Sequence, residues 1–391
     1  MALVSAAPAA PTIPRSTDSA VCSAGVGKNR SMTLLLRVFV VVALSATVLA
    51  IAYVVVTDPG SGTDVIARGH RPPVQGDVGV AVKLGRGRAV MASGPAGLWV
   101  ARQPQAGSPG EVERIDTATG KPEHPHRVKI VPQGIAVGRG VIWVLGTKPN
   151  AALATLLRID PSSGRVQHRL QLAEQPSCAT EKFASCYPVA TGDGVWVPLL
   201  DRVVHVNRSG TMADQTVPLT GHVWDLTGSA GQLWALAETA IYRITERTGA
   251  SQRIGLKKYV GVGVQSNHVT ADGTSVWVSS FPLDTTTNPG RLTRIDAALA
   301  PQVDVSRIYP GAGGLALVDG GLWVARFDGQ GELDRLNATT GTLTGPFLPM
   351  PADPTVLVER GDDMWVLSYV SSGNVRTVTK VTLTPAAPAE K

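Results

Sequence analysis

The chain has 391 residues, with 42 Gly and 28 Pro but only 17% charged and 5% aromatic residues, a mixture that suits many short strands joined by tight turns better than helices. Its formal charge of +6 divides evenly between residues 1–56 and the remainder, and neither part contains a Lys/Arg run. So thin a basic excess leaves no electrostatic footprint for nucleic acid, which is excluded as a partner.

Residues 1–31 are rich in Ala, Pro and Ser without apolar periodicity and are expected to form a disordered cytoplasmic tail. Residues 32–56 are expected to be a transmembrane signal anchor. Within them, residues 38–56 (VFVVVALSATVLAIAYVVV) are nineteen positions without a charge, enough at helical rise to cross a hydrocarbon core of about 30 Å. Arg30 and Arg37 stand on one side and Asp58 on the other, so the excess of positive charge leaves the N-terminus in the cytoplasm and the bulk outside. The expectation is a single-pass protein of a bacterial-type cell membrane. A cleaved signal peptide is the competing reading, since Ala46 and Ala50 could frame a cleavage site, but the apolar stretch is long for one. Residues 57–75 read as a flexible Gly/Pro/polar linker, and residues 385–391 as a second disordered tail.

From residue 76 the chain repeats itself. A Gly-x-apolar-Trp-Val pattern or a near relative recurs at Trp99, Trp143, Trp196, Trp234, Trp277, Trp323 and Trp365, at intervals of 44, 53, 38, 43, 46 and 42 residues. That period is the length of a four-stranded propeller blade. Each copy has a short apolar run such as GIAVG or GLALVDG, a Gly/Asp turn, the Trp strand, an alternating strand such as LLRID, a turn such as DPSSG, and a fourth alternating strand such as VQHRLQL. These are strands a to d of one blade. The last copy lacks strand d, and VGVAVKLG at 78–85 has the character to fill its place; joining first to last removes the open edge. The expected fold is therefore all-β, a seven-bladed β-propeller over residues 76–384 preceded by one transmembrane helix. The repeated Trp side chains are expected between blades, each with its N–H on a carbonyl.

The a–b turns are short throughout, whereas the interval from the Trp to the basic residue of strand c varies, from nine for Trp234 to Arg243 up to seventeen for Trp277 to Arg294. Irregular chain thus gathers on the face of the b–c and d–a connections, where a protein or cell-envelope ligand is expected. Cys178 and Cys186, eight apart in PSCATEKFASCYP, lie on the outer side and are expected to be disulfide-bonded, which constrains the unfolded chain by about 2 to 3 kcal/mol. On the same face His222 and His268 stand near the starts of strands a in blades 4 and 5. Glu238 follows Trp234 by four positions and Asp284 follows Trp277 by seven. Two imidazoles and a carboxylate are the groups for general acid/base work or for holding a divalent ion; the plainer reading is a pair of surface histidines. Trp224 is the one Trp outside the repeat position and the candidate for ligand contact. The sequence contains no Gly-x-Ser-x-Gly elbow, His-Glu-x-x-His pattern or phosphate loop.

The recurring LWV followed by RID-x-x-x-G resembles the streptogramin (virginiamycin B) lyases and the NHL/YVTN-type propellers, over about residues 76–384. The resemblance implies a seven-bladed propeller. For a lyase it further implies a magnesium ion beside His residues and a Glu, eliminating across a C–O bond of a cyclic depsipeptide, with His222, His268, Glu238 or Asp284 as the corresponding groups here. Where those lyases commonly read WFTE, this sequence reads WVAR, WVLG, WVPL, WALA, WVSS, WVAR and WVLS. The fold also resembles the extracellular sensor propellers of membrane-bound kinases, although only about 31 residues precede the span here. The expectation is a ligand-binding, sensor or protein-interaction module without a cofactor, with the magnesium-dependent lyase as the alternative.

Overall fold

The computed structural model describes residues 77–383 except 106–107, 181–185, 239, 257–263, 283–289, 298–302, 310, 327–330, 346, 362 and 371–374. The expected span, linker and tails therefore lie outside the described residues, as does Asp284. Among the described residues no helix is long and apolar enough to cross a membrane.

The first six Trp repeats each fold into one antiparallel four-stranded blade and the last supplies three strands of a five-stranded one, the seven blades following in chain order. Alternation decides the arrangement. Strand b is buried on both faces, as in Gly97–Arg102, Val141–Thr147 and Gly321–Arg326. Strand d of blade 2, Val166–Gln171, is almost wholly exposed at the rim. Strands a stand innermost and surround a central channel. The ring closes as the sequence indicated: Asp77–Val78 and Val82–Arg86 both pair with Val375–Thr382, the third strand of blade 7. The chain's beginning thus supplies its last blade's outer edge.

Seven apolar seams hold the blades together. Trp143 packs with Val195 and Val197 of the next blade, Trp196 with Leu233 and Ala235, and Trp234 with Val276 and Val278. Trp365 closes the circle against Leu98 and Val100 of blade 1. The expectation that every indole N–H meets a carbonyl holds for only some of them. Trp99 donates to Ala96 O at 3.1 Å and Trp277 to Ala338 O at 2.9 Å, whereas the indole nitrogens of Trp143, Trp196, Trp323 and Trp365 have no protein acceptor. Burying some 200 Å² of ring gives about 5 kcal/mol, more than the 1 to 3 kcal/mol lost with one unmade bond, so packing sets the ring's position.

Opposite each Trp, across the b–c ladder, stands a base. The register pairs Trp99 with Arg114, Trp143 with Arg158, Trp234 with Arg243, Trp277 with Arg294, Trp323 with Arg335 and Trp365 with Lys380. Two of these guanidiniums reach over a seam: Arg158 Nε donates to Arg208 O of blade 3 at 2.9 Å, and Arg243 Nη1 to Ala297 O of blade 5 at 3.1 Å. Blade 3 is the exception, with His205 opposite Trp196.

The turns obey their residues. In DPSSG, Asp160 accepts from the amides of Ser162 and Ser163 at 2.8 and 3.0 Å, and Gly164 takes φ 64°. The Ser162 hydroxyl first, and these amides next, bring the Asp160 carboxyl down to about 2. The disulfide between Cys178 and Cys186 is formed, with its Cα atoms 5.5 Å apart. It is core, not decoration: both cysteines are buried in the seam between blades 2 and 3. Cys186 N donates to Gln133 O at 3.0 Å, and a Cβ at Gly134 would lie 1.7 Å from Cys186 O. Only glycine lets the end of the insertion lie so close to strand a.

Candidate functional site

The a–b turns span residues 95–96, 139–140, 191–193, 230–231, 272–274, 319–320 and 361–362. The b–c connections run from two residues, at 200–201, to eight, at 283–290, and the d–a connections include the insertion at 172–188. The a–b turns are thus uniform and the c–d turns beside them run from five to ten residues, while the face of the b–c and d–a connections spans the wider range and carries the candidate residues.

The channel is a cavity of about 470 Å³ lined by Met91, Ile135, Leu226, Val269, Leu315 and their neighbours. Among the described residues its lining carries the carboxyls of Asp225 and Glu359 and the imidazole of His268. Asp225 and His268 form a pair. Asp225, on strand a of blade 4 (Val223–Ser229), is 5% exposed, and its Oδ2 lies 3.4 Å from His268 Nδ1 on the neighbouring strand a (Val264–Ala271). The same oxygen accepts Val269 N at 3.0 Å, and Oδ1 accepts the amide of Leu226 at 2.9 Å. A carboxylate with two backbone donors is held in place, and it fixes the ring beside it. A bulge between Val223 and Asp225 turns this side chain inward.

The other candidate side chains lie elsewhere. His222 precedes strand a and its ring meets that of Trp224, with centroids 4.5 Å apart and a 45° tilt. Trp224 falls inside the bulge and packs against the apolar seam between blades 4 and 5. Neither residue lines the channel. Glu238 is exposed in the two-residue b–c turn. Gly221, at φ 91°, lets the d–a connection pass it, since a Cβ there would come within 2.9 Å of Glu238 Cβ. The hydroxyl of Tyr242 accepts Thr220 N at 2.9 Å and anchors that connection. His222 and Glu238 therefore sit on neighbouring connections at the rim, and His268 in the channel wall. Among the described residues no three His, Cys, Asp or Glu side chains converge to hold a metal ion.

Sequence reasoning missed Asp225, although an acid inside the apolar run VWDL is a visible signal. It also missed Tyr187, which the disulfide-bonded insertion delivers to the channel wall. On the opposite face it missed a polar cluster. His205 Nδ1 lies 2.6 Å from Asp214 Oδ1 and Nε2 lies 3.4 Å from Asp193 Oδ1. The Thr191 hydroxyl, 2.7 Å away, holds Asp193 below the usual carboxylate range. Burial, and then the nearby Asp193 charge, raise Glu246 of blade 4.

No family model and no curated protein matches the sequence. Solved structures match the fold. BamB from Moraxella catarrhalis is 13% identical with a TM-score of 0.51, over 77% of this chain and 100% of that one. The β-propeller domain of Cps50 (Swd1) from Myceliophteria thermophila is 11% identical with a TM-score of 0.55, over 79% and 100%. Hydrazine synthase from Kuenenia stuttgartiensis is 12% identical with a TM-score of 0.59, over 82% and 99%. At these identities the likeness establishes the seven-bladed propeller and nothing finer.

Proposed function

We propose that this protein is a membrane-anchored, extracytoplasmic binding module, held by residues 38–56, whose irregular b–c and d–a face takes a protein or cell-envelope ligand. The observation that carries the reading is the difference in range between the two faces: a–b turns of two or three residues and c–d turns of five to ten on one, b–c and d–a connections of two to seventeen on the other. A rigid ring with adaptable chain on one side is the arrangement recognition scaffolds use. The solved structures that share the fold include a hydrazine synthase as well as BamB and Swd1, so the fold alone does not choose between catalysis and binding.

The test is photo-cross-linking in intact cells, with a reactive residue placed at Lys148 or Glu238 on the irregular face and at Arg139 or Ala230 in the a–b turns. Adducts confined to the first pair support the reading; equal adducts at both overturn it. Protease added to intact cells should digest the propeller if it faces outward.

The contact between Asp225 and His268 favours a second reading, a lyase or hydrolase acting in the channel. His268 would transfer the proton and Asp225 would position its ring. Turnover of a cyclic depsipeptide that His268→Asn abolishes and magnesium stimulates would establish it.

A further inference from the structure

On the face of the a–b and c–d turns, the seams on either side of blade 3 differ in the sign of their charge. Toward blade 4, Asp214 and Asp193 flank His205 at 2.6 and 3.4 Å. Toward blade 2 stand arginines. Arg139 lies in the a–b turn of blade 2 and Arg208 in the c–d turn of blade 3, and both are exposed. Neither guanidinium has an acid or any other acceptor in the protein.

Blade 6 shows the paired arrangement at the same place. Four positions before its Trp stands Asp319, whose carbonyl and carboxylate lie 3.0 and 3.8 Å from Arg335 Nη2. Four positions before Trp143 stands Arg139 instead. Arg158, opposite Trp143, gives its Nε to Arg208 O at 2.9 Å. The acid that answers the strand c base in blade 6 is thus a second cation in blade 2, and the bond from Arg158 pins the backbone that carries a third.

Arg139 and Arg208 line one cavity of about 160 Å³, together with Trp143, Thr191 and Gly192. Trp143 is 1% exposed and its indole N–H has no acceptor in the protein. The Gly192 amide has none either. The Thr191 hydroxyl is committed to Asp193 Oδ1 at 2.7 Å, and among the described residues no carboxylate lines the cavity. Two guanidiniums beside one cavity without a counter-charge repel each other and attract an anion. The donors reach it from three separate turns, which suits oxygens that point several ways, as in a tetrahedral group, better than the two of a planar carboxylate.

We propose that Arg139 and Arg208, with the amide of Gly192, hold a phosphate group in this cavity, where it ties blade 2 to blade 3. The site lies on the face opposite the one assigned to the protein or envelope ligand, goes beyond that reading and does not depend on it.

The experiment is a thermal-shift and calorimetric titration of the full chain in neutral detergent with sodium phosphate, glycerol phosphate and sodium acetate, each against sodium chloride at equal ionic strength. Phosphate is expected to bind saturably and to raise the melting temperature beyond the effect of chloride, because a ligand held only by the folded ring stabilises it. Arg139→Gln and Arg208→Gln, both at exposed positions, should each weaken phosphate by about tenfold, the loss of one charge-assisted contact. Lys83→Gln, an exposed cation on the closing strand, should leave the affinity unchanged. Glycerol phosphate binding as tightly as inorganic phosphate supports a phosphomonoester as the occupant, and binding of inorganic phosphate alone supports the free anion. A phosphate response no larger than that of chloride, equal affinity in wild type and both arginine variants, or acetate binding as tightly as phosphate overturns the proposal. The titration needs neither membrane nor partner, so its failure leaves the cross-linking test of the irregular face standing.

Discussion

The seam between blades 4 and 5 and the seam between blades 3 and 4 share a plan and differ in one residue. Both bury a Trp of strand b against the next blade's strand b. In the first, Arg243 stands opposite Trp234 and reaches Ala297 O of blade 5; its charge is constant and its bond crosses the seam. In the second, His205 stands opposite Trp196, is only 4% exposed, and turns instead to Asp214 and Asp193. A short imidazole cannot span the seam as a guanidinium does, so the acids come to it, and Glu246 of the next blade faces them. The strand b and c partners thus differ: a guanidinium bond crosses the one seam, while the other faces Glu246, whose carboxyl burial raises.

The common part of the two seams is the largest effect. Trp196→Ala and Trp234→Ala should each cost about 3 to 5 kcal/mol in chemical denaturation, and a clear difference between them would show that the partner opposite the Trp matters more than the ring. The insertion beside blade 3 comes next: replacing Cys178 and Cys186 together by Ser should cost about 2 to 3 kcal/mol from loop closure, measured by the same denaturation with the oxidised parent as reference. Arg243→Gln should cost about 1 to 2 kcal/mol, the loss of one charge-assisted bond across the seam, with the same value at pH 5 and pH 8. The smallest effect separates the seams by pH. Because Glu246 is raised in the folded protein, its contribution is present at low pH and lost as the pH rises through its folded value. Glu246→Gln should thus gain stability near neutral pH, a gain that disappears on acidification; thermal melts across pH 4 to 8 that show a constant offset would refute this.

The fold was legible because a propeller writes its period into the chain. Seven Trp at blade-length intervals gave the number of blades, and the missing fourth strand of the last repeat pointed to 78–85 as its replacement, which is where Val82–Arg86 pairs. The candidate site was legible only in part. His268 has a recognisable place near the start of a strand, but its partner Asp225 stands 44 positions from Val269, whose amide it also binds, and only the packing of blade 5 on blade 4 brings those strands together. Trp224 stood out as the one Trp outside the repeat position, at the start of a strand a whose side chains alternate. The bulge at Val223 and Asp225 reverses that phase, and no pattern in the sequence marks it.

By itself the sequence determined the class of architecture, the number of blades, the closing strand, the Asp and Gly turns and the pairing of the only two cysteines beyond the N-terminal region. These follow from local preference and period, which neighbouring residues carry between them. The tertiary structure alone decided which charges meet: why Arg102 and Arg326 are answered by acids, and why His205 gathers carboxylates where the other blades place a base. Electrostatic partnership depends on distance across seams and around the ring, and separation along the chain does not report it.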